Sequence, residues 1–200
     1  MTSGVSFDRS RVSDPALGPI AEKVIAGERL SLADGVTLFD TWDLLGLGAM
    51  ADAANRARNG DRVTFAANQH INPTNICILR KTCVFCSYAR LPKEEGAYHY
   101  AMDQVWEEAA RVDGDITREF HIVGGLDMHA GLAYYTEMFA GLKARHPQVH
   151  VKALTAVEIA HIARIEKMSI RDVLIALREA GLDTMPGGGA EVFSPAVRAT

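Results

Sequence analysis

Beyond Gly60 the chain switches repeatedly between short strand-like runs and longer amphipathic ones, and this alternation restricts the fold more than any other feature. "RVTFAANQHIN" (62–72) has the alternation and β-branched content of a strand. "AMDQVWEEAARV" (101–112) is helical, and "REFHIVGG" (118–125) is a short apolar strand ending in paired glycines. A helix over 132–146, a strand over 149–156 and a helix over 157–167 follow. Ser169 is placed to cap "IRDVLIALREA" with Asp172 at the reciprocal capping-box position, Gly181 closes that helix, and "LDTMPGGGAEVF" (182–193) supplies a fourth strand and its loop. Strand and helix alternating in this way imply a parallel sheet with right-handed crossovers, either doubly wound or a β/α barrel. A complete barrel takes about 250 residues, more than this 200-residue chain holds. The expectation is therefore α/β, with residues 61–200 forming the first four βα units of a longer barrel.

The first sixty residues have a different texture. Residues 1 to about 13 read as a polar lead-in. Asp14-Pro15 opens a helix with an acidic cap and proline at the first helical position. "LADGVTLFDTWDLLGLGAMADAANRARNG" (32–60) carries apolar residues at helical spacing and stops at Gly60. Residues 1–60 are thus expected to be an N-terminal helical segment. Trp42, Trp106 and the Met and Phe positions of the helices are expected in the core.

Composition excludes several function classes. Net charge is −4, and no basic block interleaves with aromatics, so no nucleic-acid partner is expected. The N-terminus lacks the charged start and apolar core of a secretory signal. No apolar run reaches the ~20 residues that span a bilayer, so no membrane partner is expected either. A cytoplasmic protein with reduced cysteines follows. Its 48% hydrophobic content suits a core that needs no disulfide staples.

Every cysteine of the chain, Cys77, Cys83 and Cys86, lies in "HINPTNICILRKTCVFCSYARLPKEEGAY" (70–98). The odd count argues against disulfides. Structural zinc needs four ligands, so His70 or His99 would have to join the thiolates, giving a non-catalytic zinc-binding domain. An iron–sulfur cluster on three thiolates would leave one iron open to a small molecule. Spacing alone leaves these readings open, inert thiols included. The motif does follow the first strand of a βα series, and such folds place their active sites at the carboxyl ends of strands. Phe85, beside the last cysteine, offers a flat apolar surface to shield a cluster or meet a purine.

"NQHINPTNIC…CVFCSYARLPKEEGAY" resembles the cluster loop of radical S-adenosylmethionine (SAM) enzymes, within them the branch that makes menaquinone through futalosine. "FHIVGGL", "VHVKALTAVEIAHIARIEKMS" and "EAGLDTMPGGGAEVFSPAVR" are similar to segments of the aminofutalosine synthase family, in that order. Two departures stand out. The commonest radical SAM loop has three residues between its first two cysteines, and this one has five. "GGLDMH" also replaces the His-Pro pair that often follows "GGL".

The resemblance implies a radical SAM barrel with a 4Fe-4S cluster on Cys77, Cys83 and Cys86, and SAM consumed as co-substrate. It implies an external electron donor and addition of the 5′-deoxyadenosyl radical to 3-[(1-carboxyvinyl)oxy]benzoate, an aromatic enol ether, to give aminofutalosine. Dehypoxanthine futalosine cyclase and deazaflavin-precursor synthase are the alternatives within the superfamily. Phe85, Gly124, Gly125 and Glu191 would contact SAM. Glycine lets backbone approach a ligand closely, and a carboxylate can accept hydrogen bonds from ribose hydroxyls; a tight turn and a solvated glutamate are the plainer readings. Asn68, His70 and Asn72, at or just after the first strand, are substrate-binding candidates, with Tyr88 and Arg90 beyond the last cysteine. Arg90 could grip a carboxylate. Glu158 and His161, one helical turn apart, either orient substrate or form a surface pair. An unclosed barrel ending at Thr200 would expose sheet edges that a second copy, in a homodimer, could cover.

Overall fold

A computed structural model describes residues 5–83, 86–112, 114–187 and 194–199, and the side chain of Arg198 is outside that description. The chain divides into two compact units, Met1–Thr64 and Phe65–Thr200.

The first unit is helical. Asp14 caps a 3-10 turn, Pro15–Leu17, which runs into α1 (Gly18–Ala26). The long apolar pattern is cut into α2 (Leu32–Asp40) and α3 (Leu44–Asn59). Thr41 is extended, and Asp43 restarts the helix by accepting from the Gly46 N–H at 2.8 Å. The other Asp43 oxygen takes the backbone N–H groups of Ser13 and Asp14, tying the lead-in to the restart. Gly60 ends α3 with a positive φ of 62° and ψ of −147°, a conformation open in practice only to glycine. Leu17, Ile20, Ala21 and Met50 form the small core. Trp42, expected there, is 70% exposed, because it sits in the break between the two helices and not on a buried face.

In the second unit, β1 (Asn68–Ile71), β2 (Glu119–Ile122) and β3 (His150–Ala153) form a parallel sheet in that order. The helices are α4 (Met102–Ala109), α5 (Leu132–Arg145), α6 (Ala156–Glu166) and α7 (Ile170–Glu179), with a short α8 (Pro195–Arg198). Helical crossovers are the ordinary way to join parallel strands. Register places Asn68, His70, Glu119, His121, His150 and Lys152 on one face. Phe120, Ile122, Val151 and Ala153 alternate with them and enter the core with Tyr135, Met138, Phe139, Leu142, Ile159, Ile162, Val173 and Leu177. Trp106 packs against this core and receives the Arg145 guanidinium 4.1 Å from its ring centroid. Among the described residues no helix is long and apolar enough to cross a membrane.

Three details differ from the sequence reading. β1 begins at Asn68, not Arg62, because its partner β2 begins only at Glu119; Val63 and Phe65 are each 87% exposed. The fourth strand is reduced, among the described residues, to one parallel bridge between Lys152 and Thr184. Pro186, which has no N–H to give a ladder, follows closely, and residues 188–193 lie outside the description. Ser169 does cap α7, but the Asp172 carboxylate takes the Ser169 hydroxyl, not its backbone N–H.

Candidate active site at the carboxyl end of the sheet

The cysteine loop leaves the carboxyl end of β1 and is closed at its base. Thr74 bridges His99 in antiparallel fashion, and Tyr100 N–H donates to the Pro73 carbonyl at 2.8 Å. Ile76 bridges Arg90, and Cys77 N–H donates to the Arg90 carbonyl at 2.9 Å. The five residues after Cys77 coil into turns, with Arg80 N–H on the Cys77 carbonyl and Cys83 N–H on the Leu79 carbonyl. All three thiols are free; Cys83 is exposed, and Cys77 and Cys86 are half-buried.

The turn after β2 is the floor of this loop. Gly125 N–H donates to the Thr74 carbonyl at 2.9 Å, and Ile78 N–H donates to the Leu126 carbonyl at 3.1 Å. A Cβ on Gly125 would lie 2.1 Å from the Ile76 carbonyl oxygen and 3.0 Å from the Cys77 Cβ. One on Gly124 would meet the Thr74 carbonyl at 3.1 Å. The paired glycines are thus required by the protein's own cysteine segment, whatever ligand their other side meets.

α6 braces the floor from the far side. Leu154, fully buried with φ 60°, turns the chain sharply out of β3, a backbone conformation that costs a side-chain-bearing residue about 1–2 kcal/mol. Thr155 then caps α6. Glu158, 4% exposed, accepts from Gly124 N–H at 3.0 Å with one oxygen and from the Thr155 N–H and hydroxyl with the other. Burial pushes its pKa up, against the lowering effect of these donors. His161, also buried, donates from Nε2 to the Asp127 carbonyl at 3.1 Å, leaving Nδ1 to accept from Arg164. Neither residue belongs to a surface pair, and the structure spends their polar atoms on the protein.

Arg90 is engaged on one side only. Its Nη1 donates to the carbonyls of Ser87, Tyr88 and Ala89, holding the exit of the loop. The Tyr88 hydroxyl is paired with that of Tyr98, whose own contact is the Asn72 carbonyl. Burial, with Tyr88 beside it, pushes the Tyr98 pKa up. Asn68 and His70 lie on the polar face of the sheet, where the His70 and His121 rings are 5.0 Å apart. Lys152 Nζ is 2.7 Å from Glu119 Oε1, an ion pair by distance, although that oxygen takes no aligned hydrogen bond. Burial, then the charge of Lys152, lowers the His121 pKa. The sequence reading missed Glu119, His121 and Lys152; their period-2 spacing on strands whose other faces are apolar was the available signal. Phe85 and Glu191 lie outside the described residues.

No family model matches the chain. It is 41% identical over 189 residues to aminodeoxyfutalosine synthase of Thermus thermophilus, covering 94% of this chain and 50% of that protein. It is 41% identical over 149 residues to the 5-amino-6-(D-ribitylamino)uracil–L-tyrosine 4-hydroxyphenyl transferase of Methanopyrus kandleri, covering 73% and 40%. Among solved structures, methylornithine synthase superposes with a TM-score of 0.61 at 20% identity, over 84% of this chain and 46% of that one. The chain is thus a homologue, over most of its length, of aminodeoxyfutalosine synthases, and its structural neighbours are of the radical SAM superfamily. It spans half or less of the length of these relatives, and its three-stranded parallel sheet with flanking helices is part of a radical SAM α/β barrel.

The family implies a 4Fe-4S cluster and SAM. Among the described residues no three His, Cys, Asp or Glu side chains converge as a metal centre. The donor chemistry fits a cluster nonetheless: three free thiols, none buried, sit on the one loop that follows β1. His99 has its Nδ1 2.8 Å from Asp127, a contact that leaves its Nε2 unengaged among the described residues.

Proposed function

We propose that the chain is the cluster- and SAM-binding part of an aminofutalosine synthase, joining the 5′-deoxyadenosyl group of SAM to 3-[(1-carboxyvinyl)oxy]benzoate. The observation that carries this reading is the cysteine loop at the carboxyl end of β1, hydrogen-bonded to the Gly124–Gly125 turn at the carboxyl end of β2, in a chain similar over nearly its whole length to such a synthase. Cys77, Cys83 and Cys86 would hold the cluster as thiolates. When bound, and reduced by an external donor, the cluster supplies the electron that opens the SAM sulfonium.

The chain's own residues then position and enclose the reactants. Glu158 fixes the Gly124 backbone, so the edge offered to the methionine end of SAM is preset before SAM arrives. Phe85 and Glu191 are assigned to the adenosine end. The acceptor's two carboxylates need N–H donors. Arg90, with only its Nη1 on loop carbonyls, keeps donors for one of them; the polar sheet face offers His70, His121 and Lys152 as well, and Asn68 and Asn72 are further amide donors. Lys152 keeps protons to spare beyond its contact with Glu119.

The test is anaerobic incubation of the reconstituted protein that carries this chain with SAM, a reductant and the enol-ether benzoate. Mass spectrometry should detect an adenosyl adduct; 5′-deoxyadenosine as the sole nucleoside product contradicts the assignment. A second reading, transfer of a tyrosine-derived 4-hydroxyphenyl group to ribitylaminouracil, rests on the Methanopyrus relative. It is the weaker one, because a transferase of that name covering 92% of this chain is 34% identical to it, against 41% for the Thermus synthase. Product formation from tyrosine and the uracil, and none from the benzoate, would select it.

A further inference from the structure

Asp127 stands where the chain departs from the usual family pattern, and its carboxylate is only 1% exposed. Every acceptor on this residue is used. Oδ1 takes the His129 backbone N–H at 2.9 Å, closing its own turn. Oδ2 lies 2.8 Å from His99 Nδ1 and takes the Thr74 hydroxyl at 3.0 Å. The Asp127 carbonyl takes His161 Nε2 from α6. A carboxylate accepting from Oδ2 twice requires His99 to carry its proton on Nδ1. The Thr74 hydroxyl also lies 2.9 Å from the Tyr98 carbonyl, so the carboxylate and that carbonyl share one proton.

The positions of these partners give the arrangement its meaning. Thr74 stands three residues before Cys77, and His99 lies beyond the loop's return. The two are bridged to each other, so they are the two jambs through which the cysteine loop enters and leaves. Asp127 belongs to the turn that begins with Gly124–Gly125. One oxygen atom therefore joins both ends of the cysteine loop to the floor beneath it. The hydrogen bonds of this registration involve none of the thiols, which are half-buried or exposed. Burial alone would raise the Asp127 pKa; the donors from His129, His99 and Thr74 outweigh it and hold it below the ordinary aspartate value, so the group is a committed anion.

We propose that Asp127 is a positioning residue that sets the cysteine loop against the Gly124–Gly125 edge, acting through Thr74 and His99. The inference rests on the reading of that loop as a cluster site, yet much of its test is independent of it. Partners of this kind typically change metal affinity or activity by about 10–100-fold when removed. Asp127→Asn keeps the shape but turns an amide donor toward one of the existing donors.

Two measurements decide the matter. In cluster-free protein, amide hydrogen exchange of Asp127→Asn should show protection falling about tenfold or more at Cys77, Ile78 and Gly125, with the amides of β3 and α7 unchanged. In reconstituted protein, a chelator should strip iron about tenfold faster than from the unmodified protein. Asp183→Asn, removing a carboxylate that serves Lys143 and the start of β3, should leave both readouts at the Cys77 segment unchanged. Unaltered exchange in Asp127→Asn, or protection lost uniformly across the α/β unit, overturns the proposal. Should that variant fail to fold, Thr74→Val, which removes only the hydroxyl, is read by the same two measurements and the same criteria. If the unmodified protein takes up no iron, the cluster reading fails while the exchange experiment still judges Asp127.

Discussion

The rim and the floor of the candidate site are built on opposite principles. The rim, Cys77 to Cys86, has exposed or half-buried side chains among its described residues and is held by backbone turns. The floor, Gly124 to Asp127, is gripped from three directions by Thr74, Glu158 and His161, with buried carboxylates at both ends. The difference separates two kinds of residue. Rim side chains are available to a ligand and carry little of the fold; floor groups carry the fold and reach a ligand only through backbone they position.

Substitutions can break this contrast. The largest effect is expected at the rim: Cys83→Ala should abolish cluster loading and turnover, while a thermal melt of the cluster-free protein moves little, since exposed substitutions stay within about 0.5 kcal/mol. Loss of folding in that variant would refute the contrast. Gly125→Ala should do the reverse, because its Cβ meets backbone carbonyl and not a flexible side chain. Overpacking of this kind costs about 1–3 kcal/mol, measurable by urea denaturation, and should displace the Cys77 segment as well.

The two buried carboxylates sharpen the contrast through pH. Glu158 has a raised folded-state pKa, so between the ordinary glutamate value and its own the folded state holds a proton that the unfolded chain has released. Stability then falls as pH rises through that window, and Glu158→Gln should remove the slope. Asp127 has a lowered pKa, so its contribution is present above the ordinary aspartate value and is lost as pH falls through the folded one. Denaturant melts from about pH 3 to 7 should show both signs. The smallest effect belongs to Lys81→Ala, on the exposed rim, which should leave stability unchanged within about 0.5 kcal/mol.

Much of the frame was legible in the sequence because it depends on local periodicity. The helices over 102–109, 132–145, 156–166 and 170–179 lie where apolar spacing put them, and the Ser169 and Gly60 boundaries follow from capping chemistry. Strand ends were less legible, since a strand extends only as far as a partner does; Val63 and Phe65 alternate correctly and pair with nothing in the sheet. Trp42 misled because hydrophobicity records a preference, not a location. At the site, the cysteines announced themselves by clustering. Glu158, His161 and Arg90 were visible as chemistry-bearing residues, but their partners come from segments remote in sequence or from the loop's own carbonyls, which no spacing rule reveals. Asp127 stands out in the sequence only as a departure, because its three partners remote in sequence, Thr74, His99 and His161, converge only in the folded chain.

The most direct test of the account is metal and sulfide analysis of the protein purified without oxygen. The account predicts a brown protein with iron and acid-labile sulfide in equal amounts, both lost when Cys77, Cys83 and Cys86 are replaced together by alanine. A colourless protein carrying zinc, or iron retained by the triple variant, would contradict it.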